Sequence, residues 1–334
     1  MKRAQLARLT TAVGIVIAIA GGVFVVRAIA SQWTDVRRSI DDANVAWLAV
    51  GGALAALTMV AIALPWRRAL ALLGADVTWR ATLVWYFVGE IGKYVPGGIW
   101  PVVGRAELTR RGGLPRAASY ASVALSLGAL YLAGMLVAAA LLPLRFLHGG
   151  ATSWLWVLVL LPVGVVALHH RVLTWLVARA ERLLKRELTI VIPRWSQSLR
   201  LVLEYVPSWL LLGTATWCIA RAFTPDASWI TIAPAAMISW VAGFVLVPVP
   251  GGIGVREAAF VALVGGGIGS GTRAAIAVTA RLAFMLVDAL GAGIGALWRA
   301  GHAPVRVAGG AGETAPTREP EPRPSSTAAG STHP

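Results

Sequence analysis

The sequence predicts an all-α polytopic membrane protein of roughly 7 to 9 apolar segments, with re-entrant or broken helices and an inverted internal repeat. Three observations lead there. Apolar residues make up 57% of the chain, charged ones only 13%, and mean hydropathy is +0.71, outside the range of soluble domains. Thirty Lys and Arg stand against fifteen Asp and Glu, but the basic residues sit in short loops between apolar runs. There they report membrane orientation and argue against nucleic acid as a partner. Finally, the pentapeptide VPGGI occurs twice.

The first segment, 1–31, carries Lys2, Arg3 and Arg8 ahead of an apolar run to Val26 that is longer than a signal-peptide core; it is expected to be a retained helix. Further spans are expected at 44–64, 81–94, 116–142, 154–168, 199–220, 229–247, 256–268 and 273–298, two of them short for a crossing. Trp33, Trp47, Trp66, Trp79, Trp100, Trp154, Trp195, Trp229 and Trp298 fall near span ends and read as an interfacial belt. The N-terminus, 65–80, 105–116, 169–200 and the tail from Arg299 hold twenty-one of the thirty basic residues, so they are expected on the cytoplasmic side of a cell inner or plasma membrane, both termini included. Basic stretches on both sides of 81–94 make that segment enter and return, which lipid tolerates only around protein or a wet cavity. The stretch 171–186 has helical amphipathic spacing, fitting either the inner leaflet or a solvated extension of the preceding span. From about 303, Pro, Gly, Ser and Thr predominate, as expected of a disordered tail. The organisation read from this is an N-terminal two-helix region (1–80), repeat unit 1 (81–145), connecting helices with a basic loop (146–226), repeat unit 2 (227–300) and the tail (301–334).

The repeat rests on Pro96-Gly97-Gly98 and Pro250-Gly251-Gly252, displaced by 154 residues. Each copy follows an apolar segment, precedes an Arg and a Glu, and leads to Arg-Ala-Ala at the head of a long apolar helix (Arg116 and Arg273). Proline removes a helical hydrogen bond and paired glycines permit unusual dihedrals, which suits a helix break. The charge bias starts the first unit inside and the second outside. Inverted repeats with interrupted helices are a recurring plan of secondary transporters.

An ionisable group at mid-membrane needs a partner or water. The candidates for a substrate pathway are Glu90 and Lys93, three apart on one helical face; Arg105 and Glu107 after the first motif; Arg256 and Glu257 after the second; and Arg281 and Asp288, two turns apart on the last helix. An arginine among them could offer its planar fork to a lipid phosphate, the competing role being internal ion pairing; Glu204 is expected to serve pairing alone. Gly291 and Gly295 have the spacing of a close helix contact. The single cysteine, Cys218, lies in an apolar run and reads as a small buried hydrophobe. Five His residues form no ligand motif, so no metal or other cofactor is expected.

At GEIGKYVPGGIWPVVGRAELTRRGG (89–113) and VPVPGGIGVREAAFVAL (247–263) the sequence resembles the lysylphosphatidylglycerol synthetase membrane-region family of flippase-like proteins, over most of 81–298. The second motif, followed by Arg281 and Asp288, is the more specific match. The resemblance implies a membrane region that moves a modified lipid between leaflets, without the separate soluble domain that performs aminoacyl transfer. One departure is ASVALSLGALYLAG (121–134), which lacks the charged residue such helices often contain and so counts against a symmetric charged site. The leading expectation is a translocase of lipid or lipid-linked substrate, with membrane lipids, phospholipid or polyprenyl phosphate, as partners. Two alternatives stay open. Asp41-Asp42 in the expected first external loop could serve a polyprenyl-linked glycosyltransferase, although no catalytic motif accompanies them; or the chain is an accessory subunit of a separate lipid-modifying enzyme.

Overall fold

The computed structural model describes residues 43–95, 99–147, 162, 166, 168–184, 191–245, 254–265 and 267–301. The expected first helix, Asp41-Asp42, most of 154–168, the tail and both helix breaks (Pro96, Gly97, Gly98, Pro250, Gly251 and Gly252) lie outside these residues. The described helices are α1 (Val45–Leu72), α2 (Trp79–Glu90), α3 (Trp100–Arg111), α4 (Arg116–Leu147), α5 (His170–Leu184), α6 (Trp195–Phe223), α7 (Trp229–Val245), α8 (Val255–Val264) and α9 (Ser270–Gly301), with a 3-10 turn at Ile91–Tyr94. The protein is an all-α polytopic membrane protein: α1, α4, α6 and α9 are long and apolar enough to cross a bilayer, and α7 is a shorter apolar helix.

Local chemistry sets the helix starts. Asn44 Oδ1 accepts from the Ala46 and Trp47 amides, Thr78 Oγ1 accepts from the Ala81 amide, and Glu257 reaches back to accept from the Gly254 amide at 2.6 Å. Gly254 has φ +79°, a left-handed conformation that favours glycine at the head of α8.

Three expectations are corrected. Pro65 does not end the first described span; α1 runs through it to Leu72, as α6 runs through Pro207 and α7 through Pro234. In membrane helices packed neighbours satisfy the freed backbone groups. Trp66 is not interfacial: it is fully buried and donates from Nε1 to Ser122 Oγ at 3.2 Å. Much of the expected basic stretch 105–116 is helical, as the second half of α3.

Contact pairs fix the helix directions. α4 and α6 run in parallel, since Ser126 meets Tyr205 (2.6 Å) and Leu130 O accepts from Trp209 Nε1 (2.7 Å). α7 runs against α6, with Ala227 O accepting from Trp217 Nε1 and Ala233 packed on Gly213. α8 returns alongside α7, and α9 runs against α8, with Val261 O accepting from Arg273 Nη1 and Glu257 paired to Arg281. α2 runs against α9: Arg80 lies over the Trp298 ring, Phe87 packs on Gly291, and Tyr94 meets Asp288. It follows that α2 and α4 point one way and α7 and α9 the other. The unit α2–α3–α4 is inverted relative to α7–α8–α9. The units also exchange partners, α2 packing on α9 and α7 on α4.

Candidate functional site

The site begins where α2 stops. After Glu90 the chain tightens into the 3-10 turn and Val95 becomes extended (φ −92°, ψ 136°), as a residue before proline favours. α3 then folds back along α2, so close that a Cβ on Gly89 would sit 2.6 Å from Arg105 Cγ and 2.9 Å from its backbone N. Unit 2 repeats this geometry. Gly243, displaced from Gly89 by the same 154 residues, lies directly under the Arg256 side chain. An aromatic ring three residues earlier completes each copy: Arg105 Cζ is 5.3 Å from the Tyr86 centroid, and Arg256 Cζ is 3.7 Å from that of Trp240. The duplicated unit is thus an aromatic, a glycine and an arginine from two helices of a hairpin.

In unit 1 the arginine has a carboxylate. Glu90 Oε2 is 3.9 Å from Arg105 Nε, and Glu90 Oε1 is 3.3 Å from Lys93 Nζ. Lys93 also reaches across to unit 2, where Nζ lies 2.7 Å from Asp288 Oδ2, and the Tyr94 hydroxyl donates to the same oxygen at 2.6 Å. Asp288 is fully buried, and its Oδ1 accepts no hydrogen bond among the described residues.

In unit 2 the position equivalent to Glu90 is Phe244, which stacks on Tyr131 of α4 with centroids 3.8 Å apart. Glu257 pairs with Arg281 and caps the Gly254 amide. Arg256 therefore keeps an aromatic partner but forms no ion pair with a carboxylate among the described residues. It lines a small cavity, partly open to the outside, together with Lys93, Trp240, Arg281, Phe284 and Asp288. Lys93, Arg105, Arg256 and Arg281 outnumber Glu90, Glu257 and Asp288 by one in the combined clusters. Such an arrangement can hold an anion by charge and a planar guanidinium while presenting apolar rings to the rest of a ligand.

Seven of the eight charged candidates, Glu90, Lys93, Arg105, Arg256, Glu257, Arg281 and Asp288, are thus gathered where the two units meet. Glu107 stands apart: it accepts from Arg110 Nε and Nη2 at 2.7 Å and from Arg111 at 3.2 Å near the end of α3. The Arg110 hydrogen bonds hold its carboxyl down at about 2. Arg281 and Asp288, close along α9, do not pair; each is taken by the other partner described above. Glu204 makes ion pairs with Arg68 and Arg200, as expected, and Cys218 is buried. Sequence reasoning missed Tyr86, Tyr94 and Trp240. The 154-residue displacement that exposed the Pro-Gly-Gly repeat also superposes Tyr86 on Trp240 and was the signal that could have found those two; it sets Tyr94 against Pro248 and gives no signal there. Among the described residues no three His, Cys, Asp or Glu side chains gather as a metal site would require.

Comparison with curated proteins finds no matching sequence. A family model does match, described as the lysylphosphatidylglycerol synthase TM region, over residues 11–291. With hairpins, long helices and charged clusters all inside or beside that interval, the chain belongs to this membrane family tied to lipid metabolism.

Proposed function

We propose that the chain is a translocase of lipids or lipid-linked substrates in the cell membrane, binding an anionic headgroup between its two inverted units and moving it by alternating access. Arg256 carries this reading. It is a cation in a cavity whose symmetry mate, Arg105, has Glu90 beside it, whereas Arg256 has Phe244 at the corresponding place. An uncompensated cation in apolar surroundings is costly, and a phosphate oxygen supplies the missing charge through a bidentate contact. The headgroup travels in the cavity, the acyl chains stay in lipid, and both termini face the cytoplasm. Phospholipids and polyprenyl phosphates are the substrate classes to test.

The experiment is reconstitution into liposomes holding fluorescent phospholipids or polyprenyl phosphates. Arg256→Gln is expected to lower headgroup movement at least about tenfold, the scale of one lost charge-assisted contact of roughly 1.5–3 kcal/mol. Arg256→Lys, which keeps charge but loses the planar fork, is expected between the two. Movement at the wild-type rate by a folded Arg256→Gln protein would remove the assignment.

A further inference from the structure

Asp288 is the point where the two units touch through charge, and it is incompletely satisfied. Its Oδ2 takes the Lys93 ammonium and the Tyr94 hydroxyl, both from the 3-10 turn of unit 1, while its Oδ1 has no hydrogen bond among the described residues. A fully buried carboxylate with one bare oxygen is expensive to keep ionised. A metal ion does not fit the need, because the Lys93 ammonium already lies between Asp288 and Glu90. A proton does fit.

We infer that Asp288 binds a coupling proton, and that its protonation turns Lys93 and the shared cavity toward the anionic headgroup. This inference rests on the translocase reading above. The step is a simple addition: a proton from water in the cavity joins a carboxylate oxygen, no other bond breaks, and the local charge rises by one. Lys93 is not stranded, since Glu90 still holds it at 3.3 Å. The excess of cations over carboxylates in the clusters goes from one to two, which favours an anionic ligand. By linkage the bound anion favours the proton equally. The pairing between the turn and α9 is also the tie between the inverted units, so neutralising Asp288 loosens the contact that alternating access must break.

The groups facing Asp288 are accounted for by element. α2 brings Tyr86 and Glu90, the turn brings Lys93 and Tyr94, α8 brings Arg256 and Glu257 across the cavity, and α9 itself brings Arg281. The contribution of α6 to the cavity is the uncharged Thr216, and α1 contributes no lining residue. Among the described residues, only Asp288 combines full burial, a partner from the opposite unit and an unbonded oxygen.

The test uses purified full-length protein in weakly buffered detergent with a pH indicator. The ligand is short-chain phosphatidylglycerol, whose single phosphodiester charge does not change near neutrality, and binding is followed by tryptophan fluorescence in the same sample. Wild type is expected to take up on the order of one proton per lipid bound, and its affinity is expected to tighten as pH falls, by up to about tenfold per unit. Asp288→Asn is expected to bind without proton uptake and with affinity independent of pH. Binding by wild type with no uptake and a flat pH profile would overturn the coupling while leaving the translocase reading in place. Absence of binding at every pH would overturn both. Uptake persisting in Asp288→Asn would overturn the assignment to this residue. If that variant fails to fold, the wild-type pH profile still decides whether coupling exists, and Tyr94→Phe, which removes one of the two donors to Asp288, decides the residue: it is expected to shift the pH midpoint, and an unmoved midpoint counts against Asp288.

Discussion

Arg105 and Arg256 occupy matching places under Gly89 and Gly243, yet among the described residues one has a carboxylate within ion-pair reach and the other a stacked ring. The glycines are required because the returning helix comes within side-chain contact of the outgoing one. Gly89→Ala is expected to destabilise the protein by about 1–3 kcal/mol through overpacking against Arg105, measurable as a lower melting temperature in detergent. Gly243→Ala is expected to displace the Arg256 side chain and slow headgroup movement, read in the liposome assay; an unchanged rate would mean that Arg256 position is immaterial. Glu107 gives a pH prediction. Its carboxyl is held down at about 2 by hydrogen bonds donated by Arg110, so whatever it adds to stability is present above the ordinary carboxylate range and is lost as pH falls through about 2. Carboxyl titration of a peptide-labelled sample by NMR should place its midpoint well below that of the exposed Asp and Glu residues; a midpoint near the ordinary carboxylate value would contradict the Arg110 contacts.

At the level of elements, α6 organises the bundle, because α1, α4 and α7 all pack on it. Its seam with α4 is held by Trp209, which is buried, donates to Leu130 O at 2.7 Å and fills the space beside Gly134 that any side chain there would need. Trp209→Phe removes the donor and part of the indole volume, and a loss of about 1–3 kcal/mol is expected in chemical denaturation. A loss near zero would show that the seam is held elsewhere. α3 was hidden from sequence reading for a physical reason. Its residues include Arg105, Glu107, Arg110 and Arg111, so hydropathy marks a loop, whereas burial of Arg105, Ala106 and Thr109 against its neighbours makes a helix. The opposite error arose at Pro65, where a local rule about helix breaking was overridden by packing around α1.

For the whole molecule, the helix directions make the hairpins α2–α3 and α7–α8 approach the centre from opposite sides. Pro115, beyond α3, and Ser270, at the head of α9, are exposed and should face opposite compartments. Because Cys218 is buried, an impermeant maleimide can read a cysteine placed at either position. Ser270→Cys is expected to react on intact cells and Pro115→Cys only after permeabilisation; reaction of both from one side would contradict the inversion. The sequence by itself determined the membrane class, the duplication and the charged residues worth examining, because hydropathy, loop charge and a repeated motif are properties of the linear chain. It also identified Arg281 and Asp288 as significant, but their spacing along one helix suggested a pair that does not form. Only the tertiary structure decided that Asp288 belongs with Lys93, Arg281 with Glu257, and Glu107 with neither cluster. Partner choice between buried charges depends on which helices cross and in what direction, and those crossings are set by side-chain packing between segments as many as 194 residues apart.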